Sequence, residues 1–300
     1  MMVKTIGLVG CGGWGKNILR DLLDLGCRVY VADISIDARR RALNQGALEV
    51  FSNVEELPYC DGYIVAVPIP DLAPVCAGLL KHKKPIFAEK TLCLSMEMAD
   101  ELEILGGNQY IFAMHKWHYH PGIEALRMVV QSGRIGQMKE LFSIRHGWVD
   151  DFHGGDVFWT IAIHDLTIVK HILGYIPKVV VIANVIRDSQ GLAVSLTAVI
   201  GKSPAAYLLV NTRHPEKVSG VTVHGEKGSA VLHNATDDHI TVRDESGEEN
   251  IQIDTTFPLY LEVKEFIQYL QGGIKPRCTF QDAKEITRSL LNLRKKALTL

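Results

Sequence analysis

Gly10-Cys11-Gly12-Gly13-Trp14-Gly15 separates a short apolar run, Thr5 to Gly10, from a stretch with helical spacing through Ile18, Leu22 and Leu25. This G-x-G-x-x-G pattern constrains the chain more than any other feature. Glycine lets the backbone turn tightly out of a strand and approach a pyrophosphate, and the free N–H groups and positive dipole of the following helix favour that anion. Strand, turn and helix follow one another as the mechanism requires. Asp33 closes the next apolar run, Arg28 to Asp33, 18 residues after Gly15. A carboxylate there accepts hydrogen bonds from a ribose 2′-hydroxyl and repels a 2′-phosphate. Gly10, Gly12, Gly13, Trp14, Gly15 and Asp33 are therefore candidate cofactor-binding residues, and NAD is expected in preference to NADP. The bland alternative is a tight turn, with Asp33 capping the helix that begins near Ile36.

The alternation continues with expected helices at Ile36 to Gln45, Asp71 to Lys81 and Met96 to Leu105, and strands at Tyr63 to Val67, Pro85 to Glu89 and Tyr110 to Met114. It predicts a doubly wound parallel sheet covered by helices, the Rossmann arrangement. From about residue 137 the period falls to two. Phe142, Ile144, His146 and Trp148 share one face of a strand, and Val194, Leu196, Ala198 and Ile200 repeat the pattern. Further strands are expected at 206–212, 218–224, 229–233, 240–243 and 251–254, with one strong helix, Val157 to Leu173, and two closing helices, Leu259 to Gln271 and Gln281 to Ala297. The second part is thus an α/β domain with an open, mostly antiparallel sheet. The expected division is 1–118 and 119–300, the last helix packing back on the first domain.

Composition narrows the partners. Thirty-two basic against 34 acidic side chains leave a net charge of −2, which offers no basic excess for nucleic acid. No apolar run approaches 18 residues, so no spanning helix is expected. Six cysteines without a C-x-x-C pair read as small apolar residues in a reducing compartment, the cytoplasm by default. An apolar sheet face needs a cover, and a homodimer or homotetramer through the open sheet would supply it.

Lys90, in Ala88-Glu89-Lys90-Thr91, follows the strand Pro85 to Glu89. Ligands of doubly wound sheets sit at that edge, so Lys90 is expected to point toward the cofactor rather than serve as a surface lysine. On the apolar helix Val157 to Leu173, Asp156, Thr160, His164, Thr167 and His171 recur at helical spacing and form one polar stripe. A buried stripe needs polar partners, and a hydroxylated ligand would supply them with His164 as general base. The alternative is a satisfied core histidine. Asp165, about 100° further round, is placed to touch substrate or to orient a neighbour. His115-Lys116-Trp117-His118-Tyr119-His120-Pro121 holds three histidines but no metal-ligand spacing, so it reads as a cleft lining and no metal is expected. His118, Tyr119, His153 and Trp159 are the candidate substrate walls, their rings offering faces to sugar C–H groups.

Together these landmarks resemble the glucose-fructose oxidoreductase, inositol dehydrogenase and rhizopine-catabolism family, Gfo/Idh/MocA. The resemblance covers essentially the whole chain. It rests on the glycine loop, Val65-Ala66-Val67-Pro68, Glu89-Lys90 with Leu92 and Ser95, Pro121 with Ser132-Gly133-Arg134-Ile135-Gly136, His164 within its helix, and the segments 258–266 and 276–282. It implies a nicotinamide cofactor flanked by Val67, Pro68 and Glu89, a sugar, polyol or nucleotide-sugar substrate, Lys90 at both the nicotinamide ribose and the reacting oxygen, and His164 as the catalytic histidine. Three positions depart from the family's pattern. Thr91 stands where the Glu-Lys-Pro motif has proline, Leu72 replaces a frequent histidine, and Thr160 replaces an aspartate one turn before His164. A hydroxyl orients a substrate but does not hold an imidazolium as a carboxylate does; Asp165 or Asp156 is the expected substitute. The leading expectation is an NAD-dependent dehydrogenase acting on CH–OH groups, with Lys90, His164 and Thr160 catalytic. An NADH-dependent imine or enone reductase, and a dinucleotide-binding sensor without turnover, are the rivals.

Overall fold

The computed structural model describes residues 3–150, 152, 155–178 and 180–298. In chain order the elements are β1 (Thr5–Val9), α1 (Gly15–Asp24), β2 (Arg28–Ala32), α2 (Ile36–Gln45), β3 (Glu49–Phe51), β4 (Gly62–Val65), α3 (Ile69–Leu79), β5 (Ile86–Glu89), α4 (Met96–Ile104), α5 (Gly107–Tyr110) and β6 (Ile111–Met114). There follow α6 (Pro121–Gln131), β7 (Met138–Trp148), α7 (Ile163–Leu173), β8 (Val180–Arg187), β9 (Ala193–Gly201), β10 (Ala205–Asn211), β11 (Arg213–Gly225), β12 (Gly228–Leu232), β13 (His239–Asp244), β14 (Gly247–Gln252), α8 (Pro258–Leu270) and α9 (Phe280–Ala297).

The chain forms two compact units, Met1–Lys116 with Phe257–Thr287, and Trp117–Thr256 with Arg288–Leu300. The first contains a six-stranded sheet in the order β3-β2-β1-β4-β5-β6, every pair parallel. This is the dinucleotide-binding order, and it places the crevice at the carboxyl ends of β1 and β4. Alternation splits the strands between two apolar layers. Ile6, Leu8, Ile64 and Phe87 pack with Ile18 and Leu22 of α1 and Val263 and Phe266 of α8, while Tyr63, Val65, Ile86 and Ala88 pack with Leu72 and Cys76 of α3 and Leu102 of α4. Leu72 is core, not a polar site. The segment 257–287 corrects the sequence expectation, which assigned it to the second domain. Apolar periodicity identifies α8 as a helix but carries no information about which sheet it covers.

The second unit has an eight-stranded sheet, β14-β13-β12-β11-β7-β10-β9-β8, antiparallel except for β7 beside β10. Its strong helix differs from expectation. Residues Phe158–Ala162 form a π-helical turn before α7 begins. Such turns take i→i+5 bonds and shift the faces of everything upstream. Asp156 therefore precedes the α-helical register that the stripe assumed.

Candidate active site

Within the first unit the loop after β1 is built as a cradle. Gly10 has a φ of +88°, and a Cβ there would stand 2.3 Å from the Ala66 carbonyl oxygen; at Gly15 it would stand 2.2 Å from the Gly10 oxygen. Both need glycine. At Gly12 and Gly13 an added Cβ meets nothing within 4 Å, and Trp14, at the N-cap of α1, provides no side-chain cap. Open backbone before an uncapped helix end suits an anion. Asp33 stands at the end of β2 and braces the loop, accepting from the Cys11 N–H at 2.7 Å and from the Ser35 N–H at 2.8 Å. One contact on each oxygen leaves further lone pairs for a ribose. Arg39 donates to the Asp33 and Ile34 carbonyls at 2.7 and 3.0 Å and ties the start of α2 to this strand end. These residues fit a dinucleotide.

Lys90 follows β5, and its peptide bond to Thr91 is cis. Burial draws the Lys90 amine below the usual lysine range, Glu89 opposes that shift, and Lys116 adds to it. Glu89 accepts from the Trp14 indole N–H and, at 3.1 Å, from the Lys90 backbone N–H. Lys116 lies over the Trp14 ring, 5.2 Å from its centroid. The glycine loop and the lysine strand are thus tied through Trp14 and Glu89. Val67 is half-buried, and the exposed Pro68 opens α3. His115 is driven down to about 3 by burial and then by Lys90, so it stays neutral. Burial raises the Cys11 and Cys27 thiols to about 11 and those of Cys60 and Cys93 to about 12. None of these four supplies a thiolate at neutral pH.

Sequence reasoning missed Glu262, which is 1% exposed on α8. Phe266, one turn on, stacks on Phe87 at 4.9 Å, and Glu89 is two residues from Phe87 on the same strand face. Burial and the Glu89 charge raise the Glu262 carboxyl well above its ordinary value. A lone acid among Leu259, Val263 and Phe266 was the available signal.

In the second unit His164 is half-buried, with its ring 6.4 Å from Trp117. The rest of the stripe is satisfied inside the protein. Thr160 donates its hydroxyl to the Asp156 carbonyl at 2.8 Å, and Thr167 donates to Ile163 at 2.8 Å. The Asp156 carboxylate accepts from the Phe158 N–H at 3.0 Å and meets Arg294 at 3.5 Å. His171 meets Glu124. The expectation that a ligand answers the whole stripe is corrected accordingly.

Asp165 is corrected too. It is fully buried, accepts from Ser143 at 2.5 Å and from Arg145 Nε at 2.7 Å, and belongs to the helix–sheet packing rather than to a substrate surface. Neither Asp156 nor Asp165 is therefore placed to stand in for the acid missing at Thr160. The Arg145 guanidinium in turn lies 3.9 Å from the Trp117 ring centroid, so Asp165 and Arg145 support the aromatic neighbour of His164. His118, Tyr119 and Trp159 are buried, with Arg294 over the Trp159 ring at 5.8 Å. His153 lies outside the described residues. The three histidines of 115–120 have separate surroundings: His120 accepts from the Gly122 N–H and meets the Ala235 carbonyl, while His118 meets His171.

Residues 4–105 match the GFO_IDH_MocA family, an oxidoreductase family with an NAD-binding Rossmann fold. The match lies within the first unit. An inositol 2-dehydrogenase of Burkholderia cenocepacia is 28% identical over 187 residues, 58% of this chain and 55% of that one, so the match spans little more than half of the relative. Another inositol 2-dehydrogenase, from Pseudomonas syringae, is 25% identical over 91% of this chain and 88% of its own. The crystal structure of UDP-N-acetylglucosamine 3-dehydrogenase from Acidithiobacillus ferrooxidans superposes with a TM-score of 0.88 at 18% identity, covering 100% of this chain and 99% of that one. The two-sheet fold of that structure therefore extends over the whole chain. No described helix is long and apolar enough to cross a membrane.

Proposed function

We propose that the chain is an NAD-dependent oxidoreductase that moves a hydride between nicotinamide and a carbinol carbon of a sugar, polyol or nucleotide sugar. Lys90 carries this reading, as a desolvated amine at the end of β5 in a family-matched NAD-binding domain. A desolvated ammonium suits an oxygen whose negative charge grows as its proton leaves. The names of the relatives, inositol 2-dehydrogenase and UDP-N-acetylglucosamine 3-dehydrogenase, support the substrate class. NAD, when bound, supplies the hydride acceptor. Gly10, Gly12, Gly13 and Gly15 hold its pyrophosphate, Asp33 its ribose, and Trp14, Val67, Pro68 and Glu89 flank it. His164 takes the hydroxyl proton and Lys90 stabilises the oxygen. Thr160, whose own proton is engaged with Asp156, orients the substrate as an acceptor. His118, Tyr119 and Trp159 form the substrate-side walls.

The test is a panel of myo-inositol, other polyols, free sugars and nucleotide sugars with NAD, followed by NADH formation. Turnover of at least one, with NAD preferred to NADP, is expected. Tight NADH binding without turnover of any carbinol, imine or enone would favour the sensor reading and overturn this one.

A homodimer or homotetramer through the open sheet, in the cytoplasm, completes the proposal. Phe142 stacks on Tyr207 with ring centroids 4.5 Å apart, and with Ile144, Val199 and Leu209 the pair leaves a half-exposed apolar face beside the exposed Val181. The expected mass in solution is at least twice 33.3 kDa; light scattering at the monomer mass would contradict it.

A further inference from the structure

In the second unit a row of titratable side chains runs from the interior toward the surface. Nδ1 of His118 lies 2.9 Å from Nδ1 of His171, the rings meeting edge-on. Nε2 of His171 lies 2.7 Å from Glu124 Oε2. Arg127 grips both oxygens of Glu124 from the next turn of α6. Exposure rises along the row, from 5% at His118 to 10% and 29% for the side chains of His171 and Glu124.

The partners fix which nitrogens carry protons. Burial opposes ionisation of Glu124, but hydrogen bonds from Arg127 and His171 outweigh it and push the carboxyl down to about 2. An ionised carboxylate only accepts, so His171 donates from Nε2. Neutral His171 then has a lone pair at Nδ1. His118 must donate from its own Nδ1, which leaves the lone pair of His118 at Nε2.

We propose that His118, His171 and Glu124 form a proton relay. His118 accepts a proton at Nε2, its Nδ1–H bond breaks as an Nδ1–H bond forms on His171, and the resulting imidazolium is held by the Glu124 carboxylate. One proton enters, one moves on, and the positive charge ends 2.7 Å from a negative one. The transfer is reversible: run backwards it returns the proton through Nε2 of His118 in the reducing direction and restores the starting tautomers, so the row holds one proton at a time. Oxidation of a carbinol releases one proton per hydride, and only in naming that proton does the relay rest on the oxidoreductase reading. Arg127 is a further charged group acting on Glu124. Lys170 precedes His171 on α7, and His120, two residues from His118, is engaged with Gly122 and Ala235. His118 belongs to the proposed substrate wall; His171 and Glu124 are positioning residues.

Histidine side-chain proton–nitrogen NMR of the full chain tests the relay without substrate. Near neutral pH the expected tautomers are Nδ1–H on His118 and Nε2–H on His171. As the pH falls the two rings should take up their first proton together, and Glu124→Gln should move that midpoint down by about one to three pH units, the effect of removing a close opposite charge. An Nε2–H tautomer on neutral His118, or a midpoint indifferent to Glu124→Gln in a folded variant, would overturn the proposal. The wild-type tautomers decide it even where the variant fails to fold. With a substrate from the panel, His171→Gln should change the pH profile of kcat and leave KM unchanged; a changed KM with an unchanged profile would mark packing alone. Failure of the tautomers sinks the relay, whereas failure of every panel substrate sinks the oxidoreductase reading.

Discussion

Lys90→Ala is expected to lower NAD-dependent turnover by about 100- to 1,000-fold, the span usual for removing one donor that stabilises negative charge developing on an oxygen, while leaving NAD binding largely intact. The reason lies in placement. The glycine cradle and Asp33 are held by backbone contacts that do not involve the Lys90 side chain. The pH profile gives a second signature. Burial favours the neutral amine, so the ammonium should be lost below the roughly 10.4 of a free lysine, and the alkaline limb of the rate should fall there. Lys90→Ala should lack that limb. Initial rates with a panel substrate across the pH range check both effects, and intact turnover in the alanine variant would make the proposed mechanism wrong.

Arg145→Ala is expected to cost about 3–5 kcal/mol of stability, the usual consequence of stranding one member of a buried ion pair. Asp165 is fully buried, and Ser143 is the other side chain that donates to it. Burial already raises the Asp165 carboxyl, with Arg145 and Ser143 opposing; removing the guanidinium raises it further. A carboxyl whose folded value lies above its unfolded one loses stability as the pH rises, so the deficit should be full at neutral pH and should narrow as the pH falls toward about 3.9. Urea unfolding at several pH values measures this. Adding Asp165→Leu should recover much of the loss, because it removes the stranded charge. Failure of the double variant to recover stability would show that Arg145 acts through its packing on Trp117 instead.

The glycine loop, Asp33 and Lys90 were readable because each depends on local order: a strand, a turn, a helix start and a strand end. The open second sheet was readable from the period-two faces of β7 and β9. Several features were hidden for physical reasons. β3 has three residues and starts with an exposed glutamate, too short to show a period. The exposed positions of β8 weaken its alternation. α6 did carry a signal, since Pro121 opens it after the His120 cap, with Ile123, Leu126 and Val129 buried along it. The π turn at Phe158–Ala162 leaves no compositional trace. Pairings such as Arg145 with Asp165, or Glu262 beside Glu89, join residues far apart in the chain and become visible only once strands and helices are packed. That is why Asp165 read as a site residue and proved to be a support.

The central claim is hydride transfer between a carbinol carbon and NAD. A panel substrate carrying deuterium on that carbon, incubated with the protein and NAD, tests it most directly. Deuterium in the nicotinamide ring of the NADH formed, reduced in proportion with Lys90→Ala, is the predicted result; NADH formed without the label, or labelled equally fast by the Lys90→Ala variant, would contradict it.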